Sequence, residues 1–440
     1  MWGENYSEEE MLDLEKKYTI QSYDASRSKN PVIIERAEGV FLWDRSGKRY
    51  LDFSAQYGSC NIGFQNKEMI EAIEKQLKFT SASAMFVHTS RVQLAELLAK
   101  ITPGNLGKSH FECTGSDAVE AALKFARKYT KKYKIMSLWE GYSGEGTFGA
   151  LSAHGLPDSR FDFEPLLPGF IHVSPPYCYR CDFGLRYPDC GLACLDVLEK
   201  TITREGHIAT VILEPIPAGG GVIVFPDDYL PRLREVCNRH NVLLILDEIV
   251  TGFGRTGKMF CCEHYDIVPD MLVVGKGFTS GYAAGAAVIV PEHFKIYDPT
   301  NPDETRQVHS LSGSPLACIA AITNINIILR DKLAKNAQKM GEYLLEGLKD
   351  LQEKSGIIGD VRGKGLLVGI ELVKNKKNKE PDKDKERIII EKCKERGLIV
   401  EGRCGGPQSV IILHPPLIVD KEHIDRALNI LSDLIEQVQE

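Results

Sequence analysis

The chain has no run of 18 or more apolar residues, so no transmembrane helix is expected. Its opening stretch, Met1 to Lys17, is polar and rich in Glu. A basic start followed by an apolar stretch is missing, which argues against a secretion signal and for a cytoplasmic location. Excess positive charge is missing too: 54 Lys and Arg stand against 61 Asp and Glu, a net charge of −7. That balance suggests neither a nucleic-acid groove nor an anionic membrane as partner. Internal repeats and low-complexity segments are absent. So is a disulfide framework: the twelve cysteines are scattered, and several, such as Cys60, Cys113 and Cys318, sit in apolar runs. They read as reduced core thiols.

What remains is an ordinary globular composition, 43% hydrophobic and 26% charged over 440 residues, enough for two or three domains. Through the middle, short β-rich runs alternate with helical patterns, which predicts an α/β domain with a mainly parallel sheet. The strand candidates are Lys108–Glu112, Ile135–Leu138, Phe170–Val173, Thr210–Glu214, Val242–Asp247, Met271–Val274 and Ala286–Val290. Helices are expected over Asp117–Tyr129 and Asp227–His240. The ends differ. Residues 32–53 alternate as antiparallel strands, with Asp44–Gly47 as a tight turn. After Pro315 one long helical stretch runs to about Lys354, followed by strands Gly365–Leu372 and Ser409–Leu413 and two helices, the last over His423–Val438. This predicts a large domain over 61–319 and a smaller α+β domain built from 1–60 and 320–440. The run Lys374–Lys385 reads as a solvated loop.

The chemistry is carried by two charged residues in apolar surroundings. Val242-Leu-Leu-Ile-Leu-Asp-Glu-Ile249 is interrupted by Asp247, and Met271-Leu-Val-Val-Gly-Lys-Gly277 ends on Lys276. A lone amine and a lone carboxylate are costly to bury. They make sense around a group both electrophilic and cationic. A pyridine aldehyde fits: Lys276 forms a Schiff base with its aldehyde carbon, and Asp247 keeps its ring nitrogen protonated.

Three more segments bear on that site. Glu112-Cys-Thr-Gly-Ser-Asp-Ala118 follows a strand and opens a helix. Gly115, Ser116 and the helix N-terminus make a cup for a phosphate, and the same residues also describe a plain capped helix start. Tyr142, in a glycine-flanked turn, either lays its ring on a flat cofactor or fills a loop cavity. Glu214 ends a strand, where open α/β sheets bind ligands.

Several motifs, in order and spacing, resemble the class III (ω-amino acid) aminotransferases of the fold type I pyridoxal-phosphate enzymes. They are Leu246-Asp-Glu-Ile-Val-Thr-Gly-Phe-Gly-Arg-Thr-Gly257, Glu263-His264, Pro269-Asp270, Gly275-Lys276-Gly277, Ser310-Leu-Ser-Gly-Ser-Pro-Leu-Ala317 and Asp360-Val-Arg-Gly-Lys-Gly-Leu366. The match spans about residues 30–435. It implies a mainly parallel seven-stranded sheet and pyridoxal 5'-phosphate as cofactor. Lys276 becomes the Schiff-base lysine and proton shuttle, and Asp247 the partner of the pyridinium nitrogen. Tyr142 stacks on one ring face with Ile249 against the other, and Gly115 and Ser116 hold the phosphate. Ser310 matches a position that reaches the phosphate of the neighbouring subunit, which implies a homodimer with shared sites and leaves a tetramer open. Glu214 matches a carboxylate that helps set the substrate pocket.

The implied reaction moves an amino group from an ω-amine or amino acid to a small 2-oxo acid such as pyruvate. Racemases, decarboxylases and lyases on the same fold remain alternatives. The chain departs from the family pattern in two places. Ile412 occupies the position of an arginine that binds a substrate α-carboxylate, which turns the expectation from 2-oxoglutarate towards pyruvate. Arg403 either supplies that charge or is a surface arginine in a Gly-rich loop. The usual Tyr-His-Gly reads Tyr142-Ser143-Gly144. Separately, Cys178, Cys181, Cys190 and Cys194 have spacing that admits a structural zinc, against packing thiols and no metal.

Overall fold

The computed structural model describes residues 6–20, 31–79, 86–298, 300, 301, 304 and 306–439. The other parts of the N-terminal segment discussed above lie outside the described residues. Near the N-terminus, strands β1 (Ile34–Glu38), β2 (Phe41–Asp44) and β3 (Arg49–Asp52) form an antiparallel meander. Its turn is closed by Asp44, whose Oδ1 accepts from Lys48 N at 3.0 Å and from Ser46 Oγ at 2.7 Å, the local bonding that favours Asp at turns. A late strand, Leu398–Ile399, joins this sheet parallel to β3.

The central sheet has seven strands: β4 (Leu106–Glu112), β5 (Lys134–Leu138), β6 (Phe170–Val173), β7 (Ile208–Leu213), β8 (Leu243–Asp247), β9 (Met271–Val274) and β10 (Ala286–Pro291). Their order is β4-β10-β9-β8-β7-β5-β6. Only β10 runs against the rest, as the sequence pattern and the resemblance imply. β7 to β10 are buried at every position, which explains their unbroken apolar runs: a parallel sheet covered on both faces needs no polar side. The helix Gly115–Thr130 presents Ala118, Ala121, Ala122 and Ala126, all fully buried, to one face. Small side chains let it lie close on β9 and β10, with Phe125 filling the space beyond.

The C-terminal part differs from expectation at three points. The long helix is two, Pro315–Arg330 and Leu333–Lys354, broken at Lys332, which adopts a left-handed φ of 54°. An unexpected strand, Ile358–Lys364, pairs antiparallel with Leu367–Asn375, which also pairs with Val410–Leu413. Its sequence IGDVRGK is mostly polar because only Ile358 and Val361 are buried. The run Lys374–Lys385 is not simply a solvated loop. Glu380–Pro381 folds back on Val373 and Asn375, and a helix starts at Lys383. The helix Pro315–Arg330 crosses residue 319 and stays tied to the central sheet: Asn324 Nδ2 donates to the carbonyls of Gly277 and Phe278 at 2.7 and 3.1 Å. No helix among the described residues is long and apolar enough to cross a membrane.

Candidate active site

The C-terminal ends of β4, β5, β7, β8 and β9 gather at one edge of the sheet, the place where open α/β sheets form ligand crevices. Three adjacent strands bring the central residues together. β8 ends on Asp247, paired with Val273 of β9, and Leu213 of β7 pairs with Leu246. Glu214 follows β7 directly. Lys276 follows Gly275, half-buried at a left-handed φ of 43°, at the start of a short 3-10 turn.

Asp247 is 3% exposed. Its Oδ1 accepts from Ile249 N at 3.0 Å, and among the described residues no cation stands within ion-pair distance of it. Burial is the main reason its carboxyl is pushed up to about 7, opposed by Ile249 N–H and the charge of Lys276. Glu214, 5% exposed, accepts from Tyr142 N at 2.8 Å and Ala218 N at 3.1 Å. Burial, reinforced by the nearby Asp247, lifts it to about 8. Two buried acids thus surround one amine, and each has a strong need for positive charge.

The cup forms at the start of the helix Gly115–Thr130, two residues earlier than the sequence suggests. Thr114 is the N-cap: its hydroxyl accepts from Asp117 N at 3.2 Å, and Asp117 Oδ2 accepts from Thr114 N at 3.1 Å. Gly115 and Ser116 therefore lie in the first turn, where backbone N–H groups lack helical partners. Ser116 Oγ accepts from Gly146 N at 3.2 Å, which draws the loop after β5 onto the cup. Tyr142 lies in that loop, held by Glu214 through its backbone and by an edge-on contact with His154, centroids 4.7 Å apart. Ser143, where the family has His, donates its N–H to His154 Nδ1 at 3.3 Å.

An apolar side chain, Ile249, borders the cup and the lysine turn. Ile249 lies under Gly115 and Gly275: a Cβ on Gly115 would come within 2.8 Å of Ile249 Cδ1, and one on Gly275 within 3.4 Å of its Cγ atoms. The absence of side chains on the two glycines lets Ile249 pack between the cup and the lysine turn. An uncompensated buried carboxylate, an apolar floor, a phosphate cup and an amine match the four features of pyridoxal phosphate.

Ser310 is not brought to this group. It is exposed, flanked by Val308 and Leu311, which are 63% and 66% exposed. Its neighbours His309 and Ser312 are tied to Glu112 at the end of β4, by His309 Nδ1 at 2.6 Å and Ser312 Oγ at 3.1 Å. The four cysteines 178, 181, 190 and 194 line one small, mainly apolar cavity with Tyr177, Phe183 and Leu192. All are free thiols, and among the described residues no three His, Cys, Asp or Glu are grouped to hold a metal ion.

Two features escaped the sequence. Asn61 lies against the lysine turn, where a Cβ on Gly277 would meet its Nδ2 at 2.4 Å, and that Nδ2 donates to Phe253 O at 2.9 Å. Glu140 forms an ion pair with Arg403, whose side chain is 1% exposed rather than on the surface. Glu140 lies two residues past the end of β5, beyond Trp139, whereas Glu214 follows β7 directly, so no strand-end signal marked it.

The class III aminotransferase family model matches residues 22–435. This chain belongs to the class III aminotransferases. It is 34% identical to the taurine–pyruvate aminotransferase of Bilophila wadsworthia, over 96% of this chain and 95% of that protein. It is equally 34% identical to the leucine/methionine racemase of Thermococcus litoralis, over 93% and 92%. The crystal structure of an (S)-enantioselective omega-transaminase from Thermomicrobium roseum superposes with a TM-score of 0.92, at 34% identity and 100% coverage of both chains. The class III aminotransferase is thus a pyridoxal-phosphate-dependent enzyme of fold type I.

Proposed function

We propose that this aminotransferase moves an amino group from an ω-amine or amino acid to a small 2-oxo acid such as pyruvate, with Lys276 at the centre of the chemistry. The observation that carries the reading is the meeting of Lys276, Asp247 and Glu214 at three adjacent strand ends, beside the cup at Gly115 and Ser116. When bound, pyridoxal phosphate supplies an aldehyde and an electron-accepting ring. Gly115 N–H, Ser116 and the helix N-terminus would hold its phosphate. Asp247 would keep its ring nitrogen protonated, which would relieve the buried carboxylate. Tyr142 and Ile249 would cover the two faces.

Lys276 Nζ is the covalent anchor. With the coenzyme bound, its amine would also be the base placed to take and return a proton at the substrate Cα. Glu214 shapes the pocket by holding Tyr142 and Ala218 through their backbone N–H groups. Ser310, exposed between Val308 and Leu311, belongs to the site of a second subunit in a homodimer. The division into 1–60, 61–319 and 320–440 remains our reading of the domains.

The acceptor is argued from what is missing. Ile412 is 3% exposed in an apolar strand and offers no charge to a carboxylate. Arg403 is the cation left to meet one, and Glu140 already engages it. A small monocarboxylic acceptor suits that arrangement, and pyruvate is the acceptor named for the Bilophila relative. Racemisation is the second reading, since the Thermococcus relative is named a racemase at the same identity. Adding single amines to the holoenzyme and following absorbance tests the choice. Conversion to the pyridoxamine form, reversed by pyruvate better than by 2-oxoglutarate, supports aminotransfer; inversion of an amino acid's configuration without that conversion refutes it.

A further inference from the structure

Glu112 is the last residue of β4, just ahead of the cup at Gly115 and Ser116, and its side chain is buried. Four side chains converge on its two oxygens. His110 Nε2 lies 3.1 Å from Oε1, and Gln307 Nε2 donates to the same atom at 3.2 Å. His309 Nδ1 lies 2.6 Å from Oε2, and Ser312 Oγ donates to it at 3.1 Å. A carboxylate only accepts, so both imidazole atoms are the N–H ones. Burial alone would raise this acid, but the bonds from His110 and His309 outweigh it and hold the carboxyl below its ordinary value. The group is therefore charged at neutral pH and fully engaged.

Three of the four donors belong to one stretch, residues 307–312, an arm that carries Ser310 at its middle. The arm is also pinned within itself, His309 N donating to Ser312 Oγ at 3.3 Å and Ser312 N to His309 O at 3.1 Å. Among the described residues, none of the partners of the Glu112 side chain lies in the cup, which Thr114 and Asp117 hold by their own reciprocal bonds. The outer side of the arm is apolar and uncovered at Val308 and Leu311. Exposed Phe86 and Val87 lie beside it: Arg91 Nη2 donates to Phe86 O at 2.7 Å, and a Cβ on Gly313 would stand 3.1 Å from Arg91 Cδ. Apolar side chains around an outward-held serine suit contact with a second copy of this chain.

We propose that Glu112 is a positioning residue that acts across the subunit boundary: by holding the arm 307–312 it fixes where Ser310 meets the coenzyme phosphate of the other subunit, and it does little for the cup of its own. The inference rests on the reading of Ser310 as part of a second subunit's site. Its sign is distinctive. Glu112 stands next to its own cup in the chain, yet its loss is felt in the other site. Glu112→Gln keeps the shape but turns an NH2 group towards two of the four donors, so the arm loosens.

The test uses heterodimers of two differently tagged full-length subunits, one of them Lys276→Ala. Borohydride then fixes pyridoxal phosphate only on the intact subunit, and the mass label gained against coenzyme concentration gives the affinity of that one site. Glu112→Gln in the Lys276→Ala subunit is expected to weaken the intact subunit's site about tenfold, the worth of one charge-assisted hydrogen bond. The same substitution in the intact subunit should leave that site nearly unchanged. His309→Ala, which removes the shortest bond from the arm's side, is the second variant and should show the same asymmetry. Without coenzyme, hydrogen exchange in Glu112→Gln should quicken over 307–312 and not over 113–117. A loss that follows the intact subunit's own Glu112, or no loss in either placement of both variants, overturns the proposal. Ser310→Ala in the Lys276→Ala subunit separates the two failures. If it weakens the intact site while Glu112→Gln does not, only the role of Glu112 falls; if it leaves that site unchanged, the shared-site reading falls and takes the proposal with it.

Discussion

Replacing Asp247 by Asn should make the coenzyme-free protein more stable while nearly abolishing turnover. The carboxylate is 3% exposed and has one backbone donor. Burial raises its pKa from 3.8 to about 7, and roughly three units correspond to about 4 kcal/mol. The folded pKa lies above the unfolded one. Folding therefore carries no penalty from this group below about pH 4, loses ~1.4 kcal/mol per unit as pH rises, and bears the whole cost above about pH 7. Asn has the same shape and still accepts from Ile249 N. Denaturant titrations of coenzyme-stripped wild type and Asp247→Asn should thus differ by up to about 4 kcal/mol at pH 8, in favour of the variant, and converge towards pH 4.5. Saturating pyridoxal phosphate should reverse the order, because only the wild type gains a charge partner. Turnover should fall by about a thousandfold or more, since the uncharged ring no longer accepts electrons. A variant less stable than wild type at pH 8 without coenzyme, or one stabilised equally by coenzyme, would refute the reasoning.

Other outcomes follow from the same geometry. Lys276→Ala should abolish turnover, and borohydride should fix no coenzyme on the chain; a reducible, active variant would move the anchor elsewhere. Glu214→Gln keeps only one of the two acceptor contacts, setting its amide NH2 against the other backbone N–H, and removes an acid lifted from 4.5 to about 8, so it should lower stability at acid pH and flatten the coenzyme-free stability profile between those pH values, read by denaturant midpoints. Gly220→Ala should displace the Glu140–Tyr142 loop, because its Cβ would meet a backbone oxygen at 2.0 Å. Near-ultraviolet circular dichroism and a loss of about 2–3 kcal/mol would register it. Arg255 is fully buried and donates to the carbonyls of Leu366 and Pro415 and to Asn61 Oδ1. Arg255→Met should cost about 3–5 kcal/mol by leaving those buried acceptors unmatched, read by denaturant midpoints.

The central sheet was legible because a sheet buried on both faces writes itself as apolar runs, and each observed strand falls within two residues of its expected bounds. Lys276, Asp247 and Glu214 were legible for the same reason: a charge at the end of such a run has no structural excuse. The strand Ile358–Lys364 was not, since only Ile358 and Val361 in it are buried apolar residues, and the polar Arg362 is turned inward to pair with Asp360 and with Glu371 of the partner strand Leu367–Asn375, a pairing that no apolar alternation announces. The break at Lys332 escaped because no glycine or proline marks it. The Glu140–Arg403 pair escaped for a different reason. Its members lie far apart in the chain, each in a loop, and neither interrupts a pattern; only folding makes them neighbours.

The parallel pairing of Leu398–Ile399 with β3 has a consequence for assembly. Leu51 waits for Leu398, a partner made roughly 350 residues later, and the entropy of closing so long a loop falls on one short stretch of ladder. During synthesis the early meander has an open edge until Leu398 and Ile399 have left the ribosome. Such an edge invites pairing with another nascent chain. The order of events is thereby set: the central sheet can consolidate first, and the hairpins near the start become native only when the tail returns to them.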